Sequence, residues 1–181
     1  MRVLLACALL VLSAPLVVIG QSRSGPRLPA MPGDPELPEG VVQTRHLQAQ
    51  VTGEPRVGAD GTGSVTLAVT PGARMHIYAH DAEGYAPFRL EFEPRADLVG
   101  GGHTYPAAEL SIFPPTGETS NVYTKPFVVT RGFTVKGRLR EQIRASAEGV
   151  PLTLVLRYQA CDDRVCYRAE QRSLTVKVRA R

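Results

Sequence analysis

A strictly alternating run near the C-terminus constrains this chain most. Leu152, Leu154, Leu156 and Tyr158 fall on one side of it, and Thr153, Arg157 and Gln159 are among the residues on the other, which is the period of a half-buried β-strand. The strand delivers Cys161 to its end, and Cys166 follows five residues later. On a continuous strand the two cysteines would stand roughly 16 Å apart, whereas a disulfide tolerates Cα separations only up to about 7 Å. If they pair, the chain must reverse across Asp162-Asp163-Arg164-Val165. A short carboxylate suits such a turn because it can bond its own backbone two residues on. A second strand pattern, residues 173–178, would then return beside the first. A crosslink closing so short a loop removes only about 2 kcal/mol of chain entropy. As a staple it is weak, which favours a redox role.

The rest of the chain reads as short strands and turns. Of 181 residues, 32 are Gly or Pro, and Trp is absent, a composition that disfavours long helices. Strand alternation recurs over residues 64–70, 75–79, 87–93, 126–130 and 132–136. In the second of these His76 and Tyr78 share a face with His80, and in the third Phe88, Leu90 and Phe92 point inward. Residues 94–122 read as a long irregular stretch broken at 109–113, a length that is uncommon in compact domains and often functional. Residues 138–148 fit either a short helix, with Leu139, Ile143 and Ala147 at helical spacing, or an edge strand. Seven to nine short strands with frequent turns predict an all-β, antiparallel sandwich.

Residues 1–20 read as a secretory signal peptide: one positive charge, an apolar run interrupted by Pro15, and Val18-Ile19-Gly20 before Gln21. An uncleaved anchor is the alternative, since residues 3–20 approach a membrane span. Residues 21–40 hold five prolines and few large apolar groups, a linker composition. The domain is expected at 41–181. Loss of Cys7 with the signal leaves Cys161 and Cys166 as one even pair in a compartment where disulfides persist. The net charge is +4, carried by 18 Arg against three Lys. No basic run is interleaved with aromatics, so nucleic-acid binding is not expected.

At the cysteines the sequence resembles the N-terminal domain of the bacterial thiol:disulfide interchange protein DsbD. The match is Tyr158-Gln159-Ala160-Cys161, the acidic pair Asp162-Asp163, and Cys166-Tyr167, with Arg168-Ala169 where that family usually has Pro-Pro. A second likeness is Pro71-Gly72 leading to His76-Ile77-Tyr78. The resemblance implies an immunoglobulin-like β-sandwich in the periplasm, standing alone from the family's membrane and thioredoxin-like domains. It implies an oxidoreductase component passing reducing equivalents through Cys161 and Cys166, as a monomer and without cofactor. Its partners would be thioredoxin-like proteins and a membrane electron transporter, serving disulfide isomerisation or c-type cytochrome maturation. Family members shield their cysteines with a loop bearing an aromatic residue, which places Phe113, within residues 106–122, as the candidate cap. Tyr78, Tyr158, Tyr167, Asp162 and Asp163 are the candidate supporting residues.

Thiol–disulfide exchange needs an accessible sulfur and a thiolate. Asp162 and Asp163 disfavour a thiolate, and Arg157, Arg164 and Arg168 favour it; the sum cannot be read from the sequence. Two other readings stand beside exchange. His76 and His80 could join the cysteines around zinc or copper, although the Cys-x4-Cys spacing is at the edge of zinc patterns, so no metal is expected. Alternatively the chain is an exported binding module whose disulfide only pins a hairpin.

Overall fold

The computed structural model describes residues 38–181. The expected signal peptide and nearly all of the expected linker lie outside the described residues. In chain order the strands are β1 (Val41–Gln43), β2 (Leu47–Thr52), β3 (Arg56–Val57), β4 (Thr62–Pro71), β5 (His76–Tyr78), β6 (Arg89–Phe92) and β7 (Leu98–Thr104). They continue with β8 (Glu109–Phe113), β9 (Glu118–Tyr123), β10 (Phe127–Val135), β11 (Val150–Tyr158), β12 (Ala160–Cys161) and β13 (Glu170–Ala180). Among the described residues one helix, α1 (Gly137–Ala145), separates β10 from β11.

β4 is the centre of one leaf, flanked by β2 and β10, with β1 and β7 outside them, all antiparallel. β13, β11 and β6 form the other leaf, and β3 links the two by pairing parallel with β13 and antiparallel with β4. Alternation decides which side chains meet between them. Leu67, Val69, Val129 and Phe133 from the first leaf join Leu90, Leu154, Leu156 and Val176 from the second in one continuous core. The fold is an all-β, immunoglobulin-like sandwich. β11 and β13 run together over nine residue pairs, from Val150 opposite Val178 to Tyr158 opposite Glu170, the return that the pattern at 173–178 suggests.

Three expectations are corrected or resolved. Residues 94–122 are not an irregular stretch, because they hold β7, β8 and β9. Gly100, Gly101 and Gly102 sit within β7, paired across a bulge with β10. A side chain at Gly101 would come within 3.0 Å of the Gly132 backbone, and one at Gly100 would strike the Arg131 guanidinium. Close approach of the Gly132 backbone explains Gly101 and the Arg131 side chain explains Gly100, whereas Gly102 faces open space; the run reads from sequence as a loop. Residues 126–130 and 132–136 are one strand, β10, and the undecided segment is helical. Leu139 and Ile143 are both fully buried on α1, and Ala147 lies beyond its end.

The fold continues past the two leaves into a small sheet of order β12-β5-β9-β8. β8 and β9 form a hairpin whose turn closes with Gly117 donating to the Phe113 carbonyl at 2.8 Å. Gly117 has φ +73° there, a left-handed conformation natural to glycine.

Leu154 is fully buried at the centre of the main core. Leu154→Ala is expected to cost about 2–5 kcal/mol, read as a lower urea midpoint with an unchanged m-value.

Candidate functional site

After Tyr158 the chain leaves the large sheet and crosses to the small one. Gln159 makes the crossing: its carbonyl accepts the Tyr78 N–H at 3.1 Å, and the next two residues pair with β5, Ala160 opposite Ile77 and Cys161 opposite His76. The turn that follows is built around one carboxylate. Asp162 Oδ1 accepts the N–H groups of Arg164 at 2.8 Å and Val165 at 2.7 Å, while Oδ2 accepts the Tyr167 hydroxyl at 2.9 Å. The Arg164 N–H first, then that of Val165 and the Tyr167 hydroxyl, hold this carboxyl below its ordinary range. Tyr167 N–H returns to the Ala160 carbonyl at 2.9 Å, which brings Cys166 back opposite Cys161.

The two cysteines form a disulfide with Cα atoms 4.1 Å apart. With Tyr78 and Val122, and with Ala82 and Tyr85 packed against them, they make a small apolar cluster separate from the main core. Cys161 is fully buried and Cys166 is half-buried. The Tyr78 hydroxyl lies 3.3 Å from Cys161 Sγ and 3.4 Å from Cys166 Sγ. Neither sulfur of a disulfide carries a proton, so this hydroxyl is the donor to both. Burial pushes its pKa well above the usual phenol value, which keeps it protonated.

Tyr85 covers the group. Its ring stacks on Tyr78 at 4.0 Å between centroids, 7° from parallel, and its hydroxyl donates to Glu118 on β9. Glu118 also takes the Thr116 hydroxyl at 3.0 Å. From the other side, Gln159 Oε1 accepts the Ala86 N–H at 3.0 Å while its Nε2 donates to the Tyr167 carbonyl at 3.0 Å. One amide thus ties the segment bearing Tyr85 to the segment bearing Cys166. His76, Tyr85 and Phe113 line a cleft of about 10 Å³ beside Tyr78, room for no more than one water. Burial lowers the pKa of His76, against the opposing pull of the Asp162 charge.

The sequence matches the family described as thiol:disulfide interchange protein DsbD, N-terminal, over residues 43–178. The chain belongs to the DsbD N-terminal domain family. Among solved structures it is similar to the N-terminal periplasmic domain of ScsB from Proteus mirabilis, with 17% identity and a TM-score of 0.54 over 77% of this chain. The chain spans half the length of that domain, and the likeness is one of fold. It is also similar to the reduced DsbD N-terminal domain of Neisseria meningitidis, with 19% identity and a TM-score of 0.45, covering 74% of this chain and 85% of that one. A comparison with curated proteins gives no match.

Within this DsbD-family domain the structure gathers Cys161, Cys166, Tyr78, Asp162 and Tyr167 at one tip. Phe113, half-buried at the end of β8, lines the cleft on that side, and Asp163 is exposed in the turn. Tyr158 is placed elsewhere, in the main core, where its hydroxyl contacts Thr44 Oγ1 at 2.9 Å and donates to Glu170 at 3.2 Å. His80 turns away to Tyr123, Nδ1 to hydroxyl 2.7 Å, and stacks on Tyr105; among the described residues no cluster of three or more His, Cys, Asp or Glu could hold a metal. Sequence reasoning missed Tyr85, the Gln159 amide, and a brace behind Tyr167. There His46, buried, meets Glu170 through Nδ1 and accepts the Arg45 Nε–H at 2.9 Å through Nε2. An acceptor Nε2 means a neutral ring with its proton on Nδ1. That ring lies 4.4 Å from the Tyr167 ring.

Losing the Tyr85–Tyr78 stack removes about 0.5–1.5 kcal/mol, so Tyr85→Ala should speed reduction of the disulfide by dithiothreitol about two- to tenfold. An unchanged rate would mean that Tyr85 covers nothing. A second expectation concerns pH. A histidine whose pKa is lowered by folding leaves the unfolded chain binding more protons, so stability falls as pH drops through and below about 6.5. The urea midpoint should decline between pH 7 and pH 5, and less steeply in His76→Gln.

Proposed function

We propose that this domain is an exported thiol–disulfide exchange protein, passing reducing equivalents through Cys161 and Cys166 to or from thioredoxin-like partners. The observation that carries this reading is the placement of the disulfide. It closes a five-residue step in sequence outside the main core, with Cys161 buried and Cys166 half-buried. A bond meant to hold the fold would be better spent on a longer loop, since stabilisation grows with the length closed.

In the oxidised domain a partner thiolate attacks Cys166 Sγ, the accessible sulfur. The Cys166–Cys161 bond breaks, a mixed disulfide forms, and Cys161 leaves as a thiolate. The Tyr78 hydroxyl is placed to donate a hydrogen bond to that thiolate, which lowers the cost of forming it in a buried site. A second thiolate of the partner then attacks the mixed disulfide, releasing the reduced domain and oxidised partner. In the opposite direction Cys166 attacks the partner's disulfide and Cys161 resolves. Tyr85 and Phe113 restrict access to the pair, and Asp162 and Tyr167 hold the turn in shape. By family, the setting is the periplasm, with a membrane electron transporter among the partners and disulfide isomerisation or c-type cytochrome maturation downstream. Among the described residues no helix is long and apolar enough to cross a membrane.

Equilibration of the domain in graded thiol buffers tests the proposal. A reduction potential of about −180 to −230 mV is expected, the range of proteins that exchange disulfides. A value below about −300 mV would mark a structural bond and return the domain to the class of binding modules. Cys161→Ser should then trap a mixed disulfide through Cys166.

A further inference from the structure

The charges around Cys166 are arranged unevenly. The carboxylates close to the sulfur pair keep their charge but most are tied into the protein: Asp162 by two backbone N–H groups and the Tyr167 hydroxyl, Glu118 by Tyr85 and Thr116, and Glu170 by His46, Tyr158 and Arg172. Exposed Glu83, between Ala82 and Tyr85, adds one more negative charge on that side. The guanidiniums flanking Cys166 in the chain have no carboxylate partner among the described residues. Arg164 and Arg168, two residues to either side of Cys166, are exposed and form no ion pair among the described residues, whereas Arg56, Arg95, Arg131, Arg172 and Arg179 each have a carboxylate. Arg45, also exposed, reaches the same rim from the β1–β2 connection; its guanidinium carbon lies 5.1 Å from the Tyr167 ring centroid. Among these groups Val165 presents half of its surface to solvent. Asp163 is the one exposed carboxylate in the turn.

Resting on the exchange reading above, we propose that Arg45, Arg164 and Arg168 form a docking rim around Cys166 for a partner protein that presents its reactive cysteine within an acidic surface. Two guanidiniums with no carboxylate partner among the described residues lie two residues to either side of Cys166 in the chain, and a third, that of Arg45, reaches the Tyr167 ring from a separate strand connection. Exposed Val165 supplies an apolar contact at its centre. Such a rim steers an anionic partner toward productive encounter, and its effect is screened by salt. In the probed step, Cys166 thiolate attacks a peptide disulfide, releasing one peptide thiolate and forming a mixed disulfide. Cys161 thiolate then attacks Cys166 Sγ and releases the second peptide thiolate. The domain is oxidised by two electrons, the peptide disulfide is reduced to two thiols, and the two protons lost by the cysteines pass through solvent to the leaving thiolates.

The test uses the reduced protein and three symmetric peptide disulfides whose cysteines are flanked by glutamate, serine or lysine. At about 10 mM salt the glutamate peptide should oxidise the domain about three- to tenfold faster than at about 500 mM, the serine peptide should show no such change, and the lysine peptide should change in the opposite sense. Arg164→Gln combined with Arg168→Gln should reduce the salt dependence of the glutamate peptide, adding Arg45→Gln should abolish it, and Asp163→Asn should enlarge it. Arg138→Gln, on α1 and thus beyond the far end of β11, should leave it as in the parent. A glutamate peptide that reacts without salt dependence, while the serine peptide reacts normally, overturns the docking rim and leaves exchange standing. Failure of all three peptides to react overturns the exchange reading itself, and the rim with it.

Discussion

The crossing at Gln159 is the constraint on which the candidate site depends. A strand that belongs to the large sheet through Tyr158 joins a different sheet at Ala160, and the residue between them must satisfy its polar groups while changing direction. Gln159 does this with its carbonyl on Tyr78 N–H and with both ends of its side-chain amide on the backbones of Ala86 and Tyr167. Those three partners are Tyr78 itself, the neighbour of Tyr85 and the neighbour of Cys166. One partly buried amide therefore sets the relative positions of the hydroxyl that faces the sulfurs, the ring that covers them and the half-buried Cys166.

Around that crossing the protein separates two tasks that compete for the same residues. Stability comes from the two leaves, where Leu67, Leu154, Leu156 and Val176 are excluded from water. Chemistry is left to a cluster of a few side chains with polar groups at its boundary. Asp162 illustrates the competition. Both of its oxygens are held by donors that shape the turn, and the same charge opposes thiolate formation at the nearby sulfurs. Tyr78 is the counterpart, a hydroxyl kept protonated by burial and held where either sulfur can accept from it.

Much of the fold was legible in the sequence because period-two patterns dominate it. Phe88, Leu90 and Phe92 point inward as their alternation implies, and β13 returns along β11. The glycine run at 100–102 misled because composition signals a loop, while the cause at Gly100 and Gly101, contact with Arg131 and Gly132, is a tertiary one. From local pattern the candidate site was legible where chain neighbours make it, Cys161, Asp162, Cys166 and Tyr167 lying within seven residues, while Tyr78 and Phe113, from distant segments, were reached through the family resemblance. Tyr85 and Glu118 come from distant segments with no periodic signal, and nothing local to either residue says that their side chains meet. Tyr158 is placed away from the sulfurs for the opposite reason. It belongs to the cysteine motif in sequence, but strand alternation turns its side chain into the main core.

The separateness of the sulfur cluster has a consequence for the protein's lifetime in the cell. Opening the disulfide frees a loop of a few residues and about 2 kcal/mol of chain entropy at most, while the two leaves retain their packing. Proteases that sample transient unfolding respond to the stability of the whole domain. About 2 kcal/mol is a factor of about 30 in the unfolded fraction, so they meet the reduced domain unfolded more often than the oxidised one. Turnover and redox state are thereby coupled, and the ratio of the two forms depends on selective loss of the reduced one as well as on electron supply.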